Sequence, residues 1–145
     1  MMTNIRKILI TFGLVCFLIS CGKEEISPVP YVIVNVNVNI DLYLKLKGGN
    51  ADKITNPTCG YLNHGIIVAP YGSLYYAYDA TCTKNISHPS LVVDSYNYTA
   101  VCPECKTTYN ILGANNGFSK DANVVRLKQY RAYLANNNTR LIIKN

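Results

Sequence analysis

A run of alternating side chains near the start of the chain constrains its fold more than any other feature. Apolar residues alternate strictly with asparagine at the end of the segment Tyr31-Val32-Ile33-Val34-Asn35-Val36-Asn37-Val38-Asn39-Ile40. Because successive side chains of a strand point to opposite faces, this pattern predicts a strand with one buried and one hydrated face. The alternation continues through residues 41–47 and ends at a turn, Gly48-Gly49-Asn50. The domain is therefore predicted to begin with β structure.

Later segments have the same character and predict an all-β fold. Two apolar segments, residues 65–69 and 73–79, flank Pro70-Tyr71-Gly72 and predict a hairpin. Further strands are predicted at residues 98–101, 108–111 and 124–130, and a closing hairpin at residues 131–135 and 141–143. No helical periodicity extends over ten residues beyond the N-terminal region. We therefore expect residues 31–145 to form a single small antiparallel β-sandwich or barrel.

The N-terminal segment resembles the signal peptide of a bacterial lipoprotein. Arg6 and Lys7 precede an apolar run, residues 8–20, which is too short for a comfortable membrane-spanning helix. The run ends in Leu18-Ile19-Ser20-Cys21-Gly22, which is similar to a lipobox. The resemblance implies a signal peptide at residues 1–20, lipid attachment at Cys21 and a tether at residues 21–30. An ordinary secretory peptide or a membrane anchor is the alternative.

This N-terminal resemblance also implies a location. We expect the protein in the bacterial cell envelope, held at the outer membrane by the lipid on Cys21 and facing either the periplasm or the cell surface. The formal charge is +6, and removing Arg6 and Lys7 leaves +4. The remaining basic residues are scattered and do not interleave with aromatic residues, so nucleic-acid binding is not expected. The protein or ligand partner stays open.

Catalytic motifs are scarce in the predicted domain. The two histidines, His64 and His88, are predicted to be solvated or structural because each lies beside a turn-forming residue. The chain has no Gly-x-Ser-x-Gly segment and no glycine-rich phosphate loop. Glu104 is the only glutamate after the tether, and the aspartates are far apart in sequence. We therefore expect a protein without enzymatic activity.

Cysteines carry the remaining chemistry. Cys16 leaves with the signal peptide and Cys21 takes the lipid, so four thiols belong to the domain: Cys59, Cys82, Cys102 and Cys105. Disulfides form and persist in an oxidising envelope. Alternatively, the same four cysteines have the ligand count of a structural zinc site. A thioredoxin-like dithiol at Cys102 and Cys105 would need a helix N-terminus, whereas the residues that follow predict a strand.

The segments around these cysteines resemble the two cluster-binding loops of the Rieske fold. "YYAYDATCTK" is similar to the first strand and loop, which in that family carries Cys-x-His. "VCPECKTTYNILGANNG" is similar to the second loop, which carries Cys-x-x-His, and residues 118–145 are similar to the closing segment. By this resemblance Cys82 and Cys102 fall on the two cysteine ligands, whereas Lys84 and Cys105 replace the two histidines.

These replacements bear on the cofactor. A protonated lysine cannot ligate iron, so the resemblance implies a degenerate site with neither a cluster nor another metal. It also implies that Cys82 lies close enough to pair with Cys102 or Cys105. Such a disulfide would stabilise the fold by about 3 kcal/mol. We therefore expect a structural or binding role with disulfide-locked loops. The alternative is an electron-transfer protein with an atypical cysteine-ligated centre, either [2Fe–2S] or zinc, on the same loops.

Overall fold

A computed structural model describes residues 26–112 and 117–145, so the predicted signal peptide and the predicted lipid-attachment residue, Cys21, lie outside the described residues. Within the described part, the chain forms nine strands, one single-turn α-helix (α1, Leu44–Lys47) and two 3-10 turns (Ile40–Leu42 and Tyr61–Asn63). The strands are β1 (Asn35–Asn39), β2 (Asp52–Ile54), β3 (Ile66–Tyr71), β4 (Leu74–Asp79), β5 (Val92–Asp94), β6 (Thr99–Val101), β7 (Thr108–Asn110), β8 (Gln129–Ala135) and β9 (Arg140–Lys144). None of the helices in these residues is long and apolar enough to cross a membrane.

The strands form two antiparallel sheets. The larger sheet has six strands in the order β1-β9-β8-β4-β3-β2, and the smaller has three in the order β5-β6-β7. Every pair of neighbouring strands runs antiparallel. The predicted all-β antiparallel class is therefore confirmed.

Strand β3 connects two hydrophobic cores because it is buried on both faces. Ile66 and Val68 belong to a first core, which is formed largely by side chains of the six-stranded sheet and includes Leu141 and Ile143. The intervening Ile67, like Ala69, belongs to a second core that reaches the three-stranded sheet. The two-residue repeat of a strand explains this division, since alternate side chains point to opposite faces. The second core also contains Cys82 and Cys102, so the packing of the two sheets fixes the positions of both thiols.

Two predicted hairpins are present. Strands β3 and β4 pair up to Tyr71 and Leu74, which leaves a two-residue turn that begins at Gly72 with φ +59°. Glycine suits this turn because it adopts positive φ without a steric penalty. Strands β8 and β9 form the closing hairpin around Asn136, Asn137 and Asn138, all at positive φ. Asparagine tolerates the left-handed region better than most residues, which explains the run.

Two strand predictions are wrong in part. The alternation of residues 41–47 predicts a strand, but this segment forms a 3-10 turn followed by α1. The Asn39 side chain accepts a hydrogen bond from the Asp41 amide at 2.9 Å, and this local bond competes with ladder pairing. The segment 124–128 is also irregular, and β8 begins only at Gln129. There the Leu127 amide donates to the Gly117 carbonyl instead of to a neighbouring strand.

We expect Gly60→Ala to lower the free energy of unfolding by more than about 2 kcal/mol. Gly60 has φ +79° and ψ 173°, a region that is essentially restricted to glycine and costs other residues about 1–3 kcal/mol. A Cβ atom there would also lie 2.5 Å from the Gly65 carbonyl oxygen. Gly72→Ala is the control, because its Cβ meets nothing within 4 Å. Chemical denaturation measures both, and equal losses for the two variants would contradict the steric argument.

Candidate metal centre

Two loops at the same end of the sheets carry the candidate ligands. The first, residues 80–91, connects β4 to β5, and Cys82 lies three residues beyond β4. The second, residues 102–107, connects β6 to β7 and carries Cys102 and Cys105. Each loop starts directly after a rigid strand, so its first residues have a fixed position. Functional side chains commonly lie on loops that a rigid scaffold positions in this way.

The loops bring four ligand atoms together. The thiol sulfurs of Cys82, Cys102 and Cys105 and a ring nitrogen of His88 all lie within 4.8 Å of one another. The Sγ atoms of Cys82 and Cys105 are 3.6 Å apart, and Cys102 Sγ lies 3.4 Å from His88 Nδ1. Cys82 and Cys102 are fully buried, whereas Cys105 and His88 are half-buried. Three thiols and an imidazole are donors that suit zinc, copper or iron–sulfur chemistry.

His88 reaches this group because a turn in the first loop presents it. The Asn85 carbonyl accepts the His88 amide at 3.1 Å, and the Asn85 side chain accepts the Ser87 amide at 3.0 Å. Lys84 does not take part: its Nζ lies 3.4 Å from Asp121 Oδ2 at the surface. His88 is therefore directed at the thiols and is not simply solvated. The histidine of the first loop contributes from six positions beyond Cys82 instead of two.

A tight turn closes the second loop. The Cys102 amide donates to the Thr107 carbonyl at 2.9 Å, and the Lys106 amide donates to the Cys102 carbonyl at 3.0 Å. Lys106 itself has φ +60°. These bonds fold the four-residue segment back on itself, so that Cys105 Sγ points towards the first loop. The Thr107 hydroxyl lies 3.2 Å from that sulfur.

Tyr109 lies beneath the thiols and is fully buried. Its hydroxyl is 3.4 Å from Cys82 Sγ, and it accepts the Thr83 amide at 3.1 Å. The Thr83 hydroxyl, also 3.1 Å away, donates its own hydrogen to the Val125 carbonyl. A deprotonated Cys82 has no hydrogen to donate, so Tyr109 becomes the donor to that sulfur.

The thiols differ in acidity. Burial opposes ionisation of Cys105, but hydrogen bonds from Thr107 and from the thiols of Cys102 and Cys82 outweigh it and lower the pKa of Cys105 to about 6. Burial raises the pKa of Cys102 to about 11. At neutral pH the metal-free site therefore holds one thiolate at its outer edge and a protonated thiol inside.

We expect iodoacetamide to alkylate Cys105 at least about tenfold faster than Cys102 in the reduced, metal-free protein at pH 7, since the thiolate is the reactive form. Because the pKa of Cys105 is lowered, its alkylation rate should fall as the pH falls through about 6. Mass spectrometry of the digested protein gives the rate at each cysteine. Equal rates for the two cysteines would contradict the lowered pKa of Cys105. A Cys105 rate that drops as the pH is lowered from 10 to about 8 would contradict it as well, because an ordinary thiol behaves in that way.

Cys59 is separate from this group. Its Sγ atom lies 3.4 Å from the Ile54 carbonyl, and the residue packs against the first core. Burial raises the pKa of its thiol to about 11. The four-cysteine set considered for zinc is therefore not the set that the structure assembles, because His88 takes the place of Cys59.

The four cysteines among the described residues are free thiols. The 3.6 Å between Cys82 and Cys105 exceeds the bond length of about 2.05 Å in a disulfide. A disulfide from Cys82 to Cys105 or Cys102 stays a prediction for oxidised protein without metal.

A buried carboxylate anchors the start of the first loop. Asp79, the last residue of β4, is fully buried and accepts three hydrogen bonds. The donors are the Tyr61 amide at 2.8 Å, the Tyr130 hydroxyl at 2.8 Å and the Thr81 amide at 3.0 Å. The Thr81 hydroxyl in turn lies 3.1 Å from His64 Nδ1. Because Thr81 directly precedes Cys82, these bonds fix the position from which the first ligand projects.

A large groove lies elsewhere. It has a volume of about 760 Å³ between β4 and β8 and shares no lining residue with the ligand group. Five of its lining residues are tyrosines: Tyr31, Tyr75, Tyr76, Tyr130 and Tyr133. The candidate metal ligands lie at the loop end of the sheets, so the groove and the ligand group are different sites.

Comparison with known proteins supports the fold. No protein-family model matches the sequence, and no curated protein matches it. Among solved structures, the chain is similar to the plasma-membrane Rieske protein of the cyanobacterium Synechocystis PCC 6803, with 23% identity and a TM-score of 0.51 over 76% of this chain and 99% of that one. A ferredoxin of carbazole 1,9a-dioxygenase from Nocardioides aromaticivorans IC177 gives 17% identity and a TM-score of 0.47 over 79% and 98% of the two chains.

The fold is thus Rieske-like, as the sequence segments around the cysteines indicate. The expectation that this domain has no cofactor is corrected, because the structure assembles a complete Cys3His donor group where the degenerate motif implies only a broken one. The physical reason is that a metal site needs four donor atoms in space and does not require the family's spacing along the chain.

The sequence contains a pattern for this site, but its spacing differs from that of the Rieske cluster-binding loops. The candidate ligands follow the pattern Cys-x5-His-x13-Cys-x2-Cys. Treating each histidine in the first loop as a candidate ligand would have found His88. Nothing in the sequence indicates the contact of Tyr109 with Cys82, since it depends on how β7 packs against the first loop.

Proposed function

We propose that this protein transfers electrons through a [2Fe–2S] cluster held by Cys82, His88, Cys102 and Cys105. The observation that carries the proposal is the grouping of four suitable ligand atoms within 4.8 Å at the tips of two loops. When bound, such a cluster takes up and releases one electron. Two half-buried ligands, Cys105 and His88, leave the site close enough to the surface for exchange with a partner.

The ligand chemistry and the fold both support iron and sulfide. Thiolates are the usual ligands of iron–sulfur clusters, and histidine replaces cysteine in Rieske centres. The similar cyanobacterial protein is itself a Rieske protein. Here one histidine stands where a Rieske centre has two. Because each exchange of thiolate for imidazole raises the potential, we expect a value between the ranges of about −400 mV for plant-type ferredoxins and −150 to +300 mV for Rieske centres.

Anaerobic purification tests this function. The protein is expected to show visible absorption that bleaches on addition of one electron per chain, with a paramagnetic signal in the reduced state. Cys102→Ser is the matched control and should give colourless protein, since it removes a buried ligand. Wild-type protein that remains colourless after reconstitution with iron and sulfide would overturn the cluster.

A single zinc ion is the second candidate, favoured by the compactness of the ligand group. Zinc–thiolate bonds of about 2.3 Å place the sulfurs of a tetrahedral site about 3.8 Å apart. The distance of 3.6 Å between the sulfurs of Cys82 and Cys105 is close to this value. A zinc site would be redox-inactive and would tie the two loops together. One zinc per chain in colourless protein would favour it over the cluster.

A purely structural role with disulfide-locked loops has less support. It uses two of the four ligand atoms and gives no reason for His88 to face the thiols.

We expect Tyr109→Phe to lower the reduction potential by on the order of 50 mV. The Tyr109 hydroxyl lies 3.4 Å from Cys82 Sγ, and a donor to a thiolate favours the more negative, reduced state. A hydrogen bond to a charged acceptor contributes about 1.5 kcal/mol, and 59 mV corresponds to a tenfold change for one electron. Redox titration measures the shift, with Tyr98→Phe as the control, since its hydroxyl bonds to the Gly49 carbonyl. An unchanged potential in Tyr109→Phe would contradict the role.

The envelope location belongs to the same proposal. It rests on the lipobox-like segment that ends at Cys21, and it would hold the centre at the outer membrane through lipid. Metabolic labelling with a radioactive fatty acid tests this, since Cys21→Ala should abolish the label. Label retained in Cys21→Ala would contradict lipid attachment at that residue.

A further inference from the structure

Glu104 occupies a special position in the second loop. It lies between Cys102 and Cys105, and its Oε1 atom is 3.5 Å from Nε2 of His88. The Glu104 side chain is 62% exposed, whereas that of His88 is only 13% exposed. The half-buried imidazole therefore has one nitrogen at the thiols and the other at this carboxylate.

The two ring nitrogens of His88 have different contacts. Nδ1 lies 3.4 Å from Cys102 Sγ and belongs to the ligand group. A nitrogen that binds a metal carries no hydrogen, so the hydrogen of the neutral ring of His88 must be on Nε2. A carboxylate is a strong acceptor for that hydrogen, and metal-bound histidines commonly have such a partner.

Backbone contacts alone do not orient this ring. The Asn85 carbonyl fixes the His88 amide, but that bond leaves rotation about the side-chain torsions open. The Glu104 carboxylate lies 3.5 Å from Nε2, the ring nitrogen on the side away from the thiols. Because the Glu104 carboxylate is largely exposed, its interaction with His88 contributes little to folding stability. We expect its main effect to be on the orientation of the His88 ring.

We propose that Glu104 is a positioning residue for the metal centre: its carboxylate holds Nε2–H of His88 so that Nδ1 faces the three thiols. This inference rests on the proposed metal site. It explains why Cys-x-x-Cys carries an acidic residue at its second intervening position. The contact with Glu104 also fixes the orientation of the His88 ring, which the backbone of a long loop alone does not fix.

Zinc affinity in a double-mutant cycle tests this role. The reduced full-length protein is titrated with Zn²⁺ in competition with a chromophoric chelator, for Glu104→Gln in the wild-type background and in the His88→Cys background. In the wild-type background, we expect Glu104→Gln to weaken zinc binding about 10- to 100-fold. With cysteine at position 88 there is no imidazole to orient, so the same change should cost no more than about twofold.

Asp121→Asn is the matched control because Asp121 is another exposed carboxylate near the loops but contacts Lys84. It should leave zinc affinity unchanged. Equal affinities of Glu104→Gln and wild-type protein would overturn the positioning role, as would the same loss in both backgrounds. Wild-type protein that binds no Zn²⁺ would also overturn this role, whereas the metal centre itself is overturned only if iron and sulfide fail to bind as well.

Discussion

His88→Ala is expected to lose more than about 100-fold in metal affinity, whereas Lys84→Ala is expected to keep its metal. His88 contributes Nδ1 to the ligand group, and Lys84 is directed to Asp121. Loss of an outer-shell partner alone costs about 10- to 100-fold, so loss of a ligand should cost more. Metal analysis of both variants after gel filtration measures the difference.

This pair of variants separates two descriptions of the site. If the family spacing determined the ligands, position 84 would matter and His88 would not. Circular dichroism of both variants should match the wild type, since neither residue belongs to a hydrophobic core. A His88→Ala protein that retains full metal content would contradict the Cys3His assignment.

Asp79→Ala is expected to lower the free energy of unfolding by about 3–5 kcal/mol. The carboxylate is fully buried, and its removal leaves the Tyr130 hydroxyl and two backbone amides without their acceptor. Each buried donor left unsatisfied costs about 1–3 kcal/mol. Urea denaturation measures the loss, which is a large fraction of the stability of an ordinary domain.

Asp94→Ala is the matched control for this change. Asp94 also accepts three hydrogen bonds, from the Tyr96 amide and from the amide and side chain of Asn97, but it lies at the surface. Water replaces those bonds, so the loss should be much smaller. Tyr130→Phe removes one of the donors to Asp79 and should give an intermediate loss. Equal losses for Asp79→Ala and Asp94→Ala would contradict the role given to burial.

Asp79 also connects stability to the site. Its bond to the Thr81 amide holds the residue before Cys82, so Asp79→Ala should weaken metal binding as well as folding.

The sequence predicts those parts of the fold that local patterns determine. The hairpin at Gly72 and the closing hairpin at Asn136–Asn138 follow from turn residues that tolerate positive φ. The strands before Cys82 and Cys102 follow from apolar segments of the right length. Residues 41–47 alternate as a strand would, but Asn39 begins a turn there by a side-chain bond that periodicity does not reveal.

The site could be predicted only in part. The resemblance of the two cysteine loops correctly placed Cys82 near Cys102 and Cys105. It does not predict the fourth candidate donor, because His88 reaches the thiols through a turn at Asn85 and the path of a long loop depends on tertiary contacts. The sequence also does not predict that Cys59 packs against the other core. Free thiols pack as small apolar groups, and the sequence does not show which core a given thiol contacts.

Metal content tests the central claim most directly. The wild-type protein is purified without oxygen and assayed for iron, sulfide and zinc, together with the oxidation state of its thiols. We expect two iron and two sulfide per chain, or one zinc if the second candidate holds, with Cys82, Cys102 and Cys105 protected from alkylation until the metal is removed. Protein without metal, even after reconstitution, in which Cys82 is joined to Cys105 or Cys102 by a disulfide, would contradict a metal centre on these loops.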